Sequence, residues 1–418
     1  MPEFSRWIAE ELADLVLEEP AIILQGPRAS GKTTLLRKFV GPVGTGSFVD
    51  LADDDVLTVA RQDPAGYLRG LAEPVVIDEF QRLPAVLSVV KRSVDQSRRT
   101  GQFILTGSTT SALLPKGSET LAGRSHDMTL WGLSQGEIRG IRERFVDTAF
   151  GDPNLLLTIG HQAELREDYA SLVAVGGFPE AVLREREEAR RRWLTNYALR
   201  VIERDLPDLV RLRSPQILRQ VFKLCAARTA QIANLADFAN DLRASRDTVA
   251  SYVEMLERVF LVSRLPAFSR NFSARVTKHP KLHVNDTGLA AADCNLSQLS
   301  LRRHVAFGGL LESFVVAELR KQLGWSRTAA ELFHYRDRDG HEVDLVLESP
   351  DGRVIAIEVK SATTVEPGDV SGLRYLADRL GSDFVHGIVL YPGKAPIRLG
   401  DDDRFMALPI SALWASYL

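Results

Sequence analysis

Residues 26–33 of this 418-residue chain read Gly-Pro-Arg-Ala-Ser-Gly-Lys-Thr, the full G-x-x-x-x-G-K-[ST] pattern of a phosphate-binding loop. Its two glycines allow the backbone to fold tightly, so that successive N–H groups point at a phosphate chain. Lys32 can reach the β- and γ-phosphates of a nucleotide, and the Thr33 hydroxyl can bind Mg²⁺. We therefore expect a nucleotide to be bound by Gly26, Pro27, Arg28, Ala29, Ser30, Gly31, Lys32, Thr33 and Thr34.

Two further apolar runs end in polar side chains that suit the same chemistry. Residues 75–77 are Val-Val-Ile and are followed by Asp78 and Glu79. A carboxylate at the end of a neighbouring strand holds Mg²⁺ in phosphate-loop enzymes, so we assign Asp78 to the metal and Glu79 to the attacking water. The run at 102–105 ends in Thr-Gly-Ser, where Ser108 or Thr106 could hydrogen-bond the γ-phosphate or the water. An ordinary strand-to-turn transition explains this last segment equally well.

The elements around the loop are those that a nucleotide site needs. Residues 21–25 form a short apolar run, as a buried parallel strand does, and residues 34–39 are helix-like. The loop thus precedes a helix N-terminus, where anions are favoured. Residues 48–51 and 128–131 fit further strands. Strands alternate with helices from residue 1 to about 140, which predicts an α/β fold with a parallel sheet.

A second set of charged residues lies near the C-terminus. Residues 341–347 and 355–360 read as two strands joined by an Asp-Gly turn, which is a strong hairpin signal. Strand alternation places Glu358 and Lys360 on one face. Asp344 and Glu358 can then converge on one divalent cation, with Lys360 beside them to orient or activate water. Alternating Glu and Lys are also common on solvent-facing strands.

The N-terminal motifs resemble the AAA+ class of ATPases. More narrowly, the chain resembles a prokaryotic group of ATP-binding proteins in which an AAA+ core is fused to a C-terminal domain of unknown function. The matching stretches run from the loop to beyond Lys360 and include Gly26-Pro27-Arg28, Leu105-Thr106-Gly107-Ser108, Leu121-Ala122-Gly123-Arg124, Gly176-Gly177-Phe178-Pro179-Glu180 and Asp286-Thr287-Gly288-Leu289.

This resemblance implies ATP and Mg²⁺ as ligands and a helical lid after the core. It also implies that Arg124 offsets charge on the γ-phosphate, in the same chain or from a neighbouring subunit. A structural arginine after a turn is the alternative explanation of Arg124. For the second sensor arginine of the class, Arg200 and Arg204 are both possible, and spacing does not choose between them.

The C-terminal spacing D-x13-E-x-K resembles the PD-(D/E)xK restriction-endonuclease-like superfamily, whose metal hydrolyses a phosphodiester. An upstream helix of that superfamily supplies another acid, and Glu312 lies at the corresponding position within residues 310–319. The resemblance implies Glu312, Asp344 and Glu358 as metal ligands and Lys360 as a catalytic residue. Nuclease activity does not follow from the fold alone.

Residues 231–270 have the pattern of a winged helix, with helices at 235–239 and 247–256 and wing strands at 260–262 and near Leu265. In that fold Ser245, Arg246 and Thr248 would lie at the exposed start of the second helix, where DNA-reading helices contact bases. Duplex DNA is therefore one expected partner, and a protein partner is the other. The cations that could contact phosphates are Arg243, Arg258, Arg264, Arg270, Arg275, Lys278 and Lys281.

Bulk properties restrict the protein class. The 52 basic and 55 acidic residues give a net charge of −3, so no overall charge favours nucleic acid or membrane. Cys225 and Cys294 are well separated and not in a metal-spaced cluster, which indicates a reducing compartment. No apolar stretch approaches the ~20 residues of a spanning helix. We expect a cytoplasmic protein without a membrane partner.

The sequence therefore predicts an α/β protein with four parts: an AAA+ core at 1–140, a helical lid or linker at 141–230, a winged helix at 231–285 and a restriction-endonuclease-like domain at 286–418. The expected function is Mg²⁺-dependent ATP hydrolysis coupled to a DNA-associated, potentially nucleolytic, C-terminal domain. The alternative is a nucleotide-switched DNA- or protein-binding regulator with slow hydrolysis and an inactive nuclease-like domain. Oligomers are compatible with either function.

Overall fold

The computed structural model of the protein describes residues 4–41, 46–109, 121–158, 164–209 and 214–416. The α-helices of these ranges are α1 Ile8–Glu18, α2 Lys32–Phe39, α3 Asp54–Gln62, α4 Pro64–Leu68, α5 Val86–Ser97, α6 Gln135–Arg139, α7 Phe145–Gly151, α8 Leu155–Thr158, α9 Arg166–Val175, α10 Pro179–Val182, α11 Glu187–Arg200, α12 Leu206–Leu209, α13 Pro215–Ala227, α14 Leu235–Leu242, α15 Arg246–Arg258, α16 Phe272–Thr277, α17 Thr287–Asp293, α18 Gln298–Leu301, α19 Phe307–Gln322 and α20 Ser371–Leu380. The strands are β1 Ala21–Gln25, β2 Ser47–Asp50, β3 Val75–Asp78, β4 Phe103–Gly107, β5 Ser125–Thr129, β6 Gln231–Ile232, β7 Val262–Leu265, β8 Lys281–Val284, β9 Glu331–Arg336, β10 Glu342–Glu348, β11 Val354–Val359, β12 Phe384–Tyr391, β13 Ile397–Arg398 and β14 Phe405–Pro409.

The N-terminal part is a parallel sheet in the order β2-β3-β4-β1-β5, which confirms the predicted α/β fold. The last strand was expected at 128–131 and lies at Ser125–Thr129. Gln25 pairs with Gly107, and Asp78 pairs with Thr106. The carboxyl ends of β1, β3 and β4 therefore meet at one edge, and the segments that follow these strands lie together there.

Alternate residues of β1 pack on the two faces of the sheet. Ile22 and Leu24 lie in one core with Leu12 of α1 and Leu36 of α2. Ile23 belongs to the opposite core, which includes buried side chains of α3, α4 and α5. Burying an aliphatic side chain of this size contributes roughly 1.5–3 kcal/mol, and this two-sided burial fixes the strand that carries the loop.

Residues 141–230 are mostly helical in the described ranges, as expected. Helix α11 continues into a π-helical turn, Val201–Asp205, before α12. Helix α17 packs against α9, α11 and α13. It also contacts α19 of the C-terminal part, and it is buried along its whole length. The predicted domain boundary at residue 286, directly before α17, stays a prediction.

Between these helices and the C-terminal sheet lies an antiparallel sheet in the order β6-β8-β7, together with α14 and α15. Val249, Tyr252, Val253 and Leu256 of α15 are buried, as the helical spacing predicted. The sequence pattern predicted two wing strands, at 260–262 and near Leu265. In the structure, Val262–Leu265 form the single strand β7, and its partner β8 follows only after α16.

The C-terminal part is a sheet in the order β13-β14-β12-β11-β10-β9. Strands β10 and β11 form the predicted hairpin, with Leu345 opposite Ile357, and β12 runs parallel to β11. Gly352 in its turn has φ 86°, a conformation that glycine adopts without strain. Ile355 and Ile357 are buried in the core that also contains α19, so Glu358 faces away from that core.

Among the described helices, none is both long enough and apolar enough to cross a membrane.

Candidate functional site

The phosphate loop is shaped by its two glycines. Gly26 has φ 149° and Gly31 has φ 99°, both in the region that favours glycine. A Cβ atom at Gly26 would lie 2.2 Å from the carbonyl oxygen of Leu130, so no larger residue fits there. Gly31 is the N-cap of α2, which begins at Lys32. The loop backbone thus leads directly into a helix N-terminus, a site that favours anions.

Lys32 is the buried cation of this loop, with a residue exposure of 5%. Its Nζ donates hydrogen bonds to the carbonyl oxygens of Gly26 at 2.8 Å and Pro27 at 2.9 Å. Burial lowers the pKa of Lys32 to about 8, although Glu79 and Asp78 nearby favour its charge. The ammonium is therefore held by weak neutral acceptors, which phosphate oxygens can replace.

Thr33 and Asp78 bring together two oxygen ligands. The Thr33 hydroxyl donates to Asp78 Oδ2 at 2.7 Å, and the other carboxylate oxygen accepts the backbone N–H of Glu79 at 3.1 Å. Burial raises the pKa of Asp78 from its ordinary value. A hydroxyl and a carboxylate side by side at the sheet edge fit Mg²⁺, which prefers oxygen ligands and few protein groups.

Glu79 follows β3 with φ 55°, an uncommon conformation for a residue with a side chain. Its carboxylate accepts hydrogen bonds from the Gln81 amide and, at 3.4 Å, from the Ser108 hydroxyl. Burial raises the pKa of Glu79. The sequence left Ser108 and Thr106 as alternatives. Ser108 contacts Glu79, whereas the Thr106 hydroxyl is buried with no hydrogen-bond partner among the described residues.

Arg124 lies at the opposite edge of the sheet. It immediately precedes β5, whose first residue, Ser125, pairs with Ala21 at the start of β1. Four residue steps along β1 place that edge about 13 Å from the strand end that carries the loop. Arg124 pairs with Asp95 of α5, with N–O distances of 2.7 and 3.1 Å. The fold therefore does not bring Arg124 to the loop of its own chain, and a role toward a neighbouring subunit stays a prediction.

The helical part contacts the loop through residues that the sequence did not indicate. Arg28 Nη1 lies 2.8 Å from Asp205 Oδ1, and the Tyr197 hydroxyl donates to the Arg28 carbonyl at 3.0 Å. Both sensor candidates, Arg200 and Arg204, are exposed. Asp205, the last residue of the π-helical turn Val201–Asp205, is the residue of that turn that bonds to the loop. A separation of 177 positions gives no local sequence signal for this pair.

Arg6 fixes the other side of the loop. Its guanidinium donates to the carbonyl oxygens of Ser30 at 2.7 Å and Trp131 at 2.8 Å, and to Glu137 at 3.0 Å. A cavity of about 800 Å³ adjoins this contact. Residues lining the cavity include Phe4, Trp7, Thr34, Leu35, Lys38 and Leu183.

The C-terminal candidates lie close together, but a cation of the protein is already among them. Lys360 Nζ lies 3.0 Å from Glu358 Oε1, so these side chains share a face, as predicted. Lys281 Nζ lies 2.9 Å from Glu312 Oε1 and 3.1 Å from Asp344 Oδ1. Asp344 Oδ2 accepts the Val359 N–H at 3.0 Å. Two of the three predicted ligands, Glu312 and Asp344, are therefore paired with a lysine of the protein, and metal binding by Glu312, Asp344 and Glu358 stays a prediction.

Burial and mutual repulsion govern the protonation of these acids. Burial, followed by the charge of Asp344, raises the pKa of Glu358 to about 7. The same two causes raise the pKa of Glu312 well above its ordinary value. Burial opposes the charge of Lys281, but Asp344 and Glu312 outweigh it and hold the pKa of Lys281 above its usual range.

Several cations that were expected to track DNA phosphates are engaged within the protein. The ion pairs are Arg264 with Glu257, Arg270 with Glu348 and Asp383, Arg275 with Glu348, and Lys281 with Glu312, Glu342 and Asp344. Arg243 and Arg246 are exposed. Ser245 is also exposed, but its hydroxyl accepts the Thr248 N–H at 3.1 Å and thereby caps α15.

Comparison with known proteins divides the chain into three matched regions. A family described as an AAA domain matches residues 18–139, which contain the loop, Asp78, Glu79 and Ser108. Two domains of unknown function, DUF8612 and DUF4143, match residues 166–300 and 307–413. These matches support an AAA-type nucleotide-binding ATPase region and give no function for the other two regions.

Relatives from three organisms are similar over most of the chain. Uncharacterized proteins of Mycobacterium tuberculosis and Mycobacterium bovis are each 27% identical over 383 residues, covering 91% of this chain and 78% of theirs. An uncharacterized protein of Methanocaldococcus jannaschii is 22% identical over 406 residues, covering 94% of this chain and 87% of its own. A solved structure of a Walker-type ATPase of Pyrococcus abyssi superimposes with a TM-score of 0.45 and 16% identity, covering 70% of this chain and 96% of that one.

Proposed function

We propose that the protein binds ATP with Mg²⁺ and hydrolyses it, and that the bound nucleotide changes how the helical and C-terminal parts engage a partner. The observation that carries the proposal is the 2.7 Å contact between Thr33 and Asp78 beside the buried ammonium of Lys32. These are the three groups that a phosphate-loop enzyme needs to hold a metal and the phosphates at one point.

In this proposal each residue has a defined task. The backbone of residues 27–32 and Lys32 bind the phosphates, and Lys32 exchanges its carbonyl acceptors for phosphate oxygens. Thr33 and Asp78 would hold Mg²⁺, which supplies charge neutralisation on the phosphate oxygens when bound. Glu79, held by Gln81 and Ser108, orients the attacking water and receives its proton.

The cavity beside the loop would take the base and ribose. It lies between the N-terminal segment, α2 and α10, and its walls include the aromatic rings of Phe4 and Trp7. The apolar wall would contact the base, and the neighbouring phosphate-binding loop would bind the phosphates.

The Arg28–Asp205 ion pair offers a route from nucleotide to the helical part. Arg28 belongs to the loop, and its side chain is 62% exposed, so it is free to turn toward phosphate oxygens. Doing so would release Asp205 and the turn that carries it. Arg124 would complete the site of a neighbouring subunit if copies of the chain assemble.

ATP hydrolysis at fixed moderate salt, with and without duplex DNA, tests the proposal. Lys32→Ala is the control for contaminating activity, since it removes the phosphate-binding ammonium. Hydrolysis that Lys32→Ala abolishes supports the proposal, and a rate that this variant leaves unchanged refutes it. Slow hydrolysis that DNA does not stimulate would favour the alternative function, in which the bound nucleotide controls binding of a protein partner.

A second candidate function is DNA association by residues 231–285, which we propose to be a winged helix. The supporting observation is the exposed start of α15 with Arg243 and Arg246. Helix N-terminal residues at this position contact bases in winged-helix proteins. Duplex binding that weakens with salt and is lost in Arg243→Ala/Arg246→Ala would support it, whereas unchanged binding would refute it.

We place the protein in the cytoplasm, because Cys225 and Cys294 are free thiols.

A further inference from the structure

A lysine ammonium lies at the centre of three carboxylates in the C-terminal part, here called the acidic cluster: Glu312, Glu342 and Asp344. The distances from Lys281 Nζ to these carboxylates are 2.9, 3.1 and 3.1 Å. The Lys281 side chain is only 3% exposed. An ammonium has three N–H donors, and here it donates hydrogen bonds to Glu312 and Asp344, while Glu342 adds a third ion pair at 3.1 Å.

We propose that Lys281 takes the place of a divalent cation, so that the acidic cluster is an internal ion-pair site joining two parts of the protein and does not bind metal. A divalent cation needs carboxylate oxygens at about 2.0–2.6 Å with no other cation between them. Lys281 already occupies that position at hydrogen-bond distances. A metal ion would have to displace the ammonium or be repelled by it.

The ammonium is positioned by its backbone and not by a flexible loop. Lys281 is the first residue of β8 and pairs with Leu265 of β7 and Ile232 of β6. Two carboxylates come from β10 and the third from α19. The ion pairs therefore connect the three-stranded sheet with the C-terminal sheet and its helix.

Other contacts hold the same two parts together. Ser313, next to Glu312, bonds through its hydroxyl to Thr229 at 2.8 Å and His283 at 3.0 Å. The backbone of His334 on β9 exchanges hydrogen bonds with Phe268 at 2.6 Å and Pro266 at 2.9 Å. Because these contacts fix β8 against the acidic cluster, the Lys281 ammonium is held beside Glu312 and Asp344 from a strand whose position is set by the packing of the two sheets.

The ion pairs of Lys281 form independently of ATP hydrolysis, so removal of the ammonium can be tested by itself. Lys281→Met keeps the length of the side chain but leaves three carboxylates without their cation. The acidic cluster would then attract a divalent ion, as carboxylate groups that converge do. The variant would also be less stable, because Glu312 and Asp344 are largely buried and buried carboxylates without a compensating charge are costly.

Mn²⁺ binding, measured by electron paramagnetic resonance on the nucleotide-free full-length protein, tests the proposal. We expect Lys281→Met to gain one Mn²⁺ per chain over the wild type, and Lys281→Met/Asp344→Asn to lose it again. This dependence on Asp344 separates the acidic cluster from any ion at Thr33 and Asp78. Lys278→Met, three residues earlier, is the matched control and should gain none.

Wild-type Mn²⁺ binding that Asp344→Asn abolishes would overturn the proposal, as would a folded Lys281→Met variant that gains no ion. If Lys281→Met does not fold, chemical acetylation of lysines in the wild type, measured by mass spectrometry, tests the same proposal. Lys281 should stay unmodified with or without excess Mn²⁺, while the exposed Lys394 reacts. Labelling of Lys281 that appears on adding Mn²⁺ would mean that the metal displaces it, contrary to the proposal.

Discussion

Raising the pH from 7 to 9 should weaken ATP binding about tenfold, because Lys32 is a weak base in the nucleotide-free loop. Burial lowers its pKa to about 8, and its hydrogen-bond partners there are two neutral carbonyl oxygens. Phosphates next to the ammonium would favour its charged form and raise that pKa on binding. ATP therefore binds the protonated lysine, and affinity falls as the proton is lost.

The magnitude follows from the protonated fraction of free Lys32. With a pKa of about 8, about nine-tenths of the side chains are charged at pH 7 and about one-tenth at pH 9. If the bound lysine is fully charged, the dissociation constant rises about tenfold over this range, or about 1.4 kcal/mol. An ordinary lysine, with a pKa near 10.4, would change the affinity by only a few per cent.

Calorimetric titration with ATP at saturating Mg²⁺ and constant ionic strength measures this profile. Lys32→Arg is the informative variant, since a guanidinium stays charged throughout and should remove the slope even if it binds more weakly. Lys223→Arg replaces an exposed lysine of α13 and should keep the wild-type slope. A flat wild-type profile, or an unchanged slope in Lys32→Arg, would refute the assignment of a depressed pKa to Lys32.

Three further changes test the site and its surroundings. Glu79→Gln should still bind ATP but hydrolyse it about 10²-fold more slowly, since a general base is lost; wild-type turnover by this variant would remove Glu79 from the mechanism. Asp205→Asn should free Arg28 for the phosphates and tighten ATP binding by up to about fivefold, the worth of an exposed ion pair. The neighbouring Glu203→Gln serves as the control, and weaker ATP binding by Asp205→Asn would contradict the expectation. Burial, followed by a nearby carboxylate, raises the pKa of Glu143 to about 7. The folded protein is therefore stabilised at low pH, where Glu143 is neutral. This part of the free energy of unfolding is lost as the pH rises through the folded-state pKa. Glu143→Gln should therefore raise the free energy of unfolding in urea by on the order of 2 kcal/mol at pH 8 and by less at pH 5, whereas an equal gain at both pH values would contradict the cause given.

Features that depend on local spacing could be predicted from the amino-acid sequence. The loop needs glycines at Gly26 and Gly31, followed by Lys32 and Thr33, and each requirement is met within one short segment. The end of the apolar run 75–77 placed Asp78 at a sheet edge. Strand alternation placed Glu358 beside Lys360, because it fixes which side chains share a face.

Contacts between charges that are distant in the chain could not be predicted in the same way. The register of β5 with β1 moved Arg124 to the far edge of the sheet and next to Asp95. Lys281 looked like one more surface cation in the sequence, yet the pairing of β8 buries it among carboxylates from α19 and β10. Such contacts join residues that are far apart in the chain, and they depend on how whole sheets pack, which no local pattern of residues records.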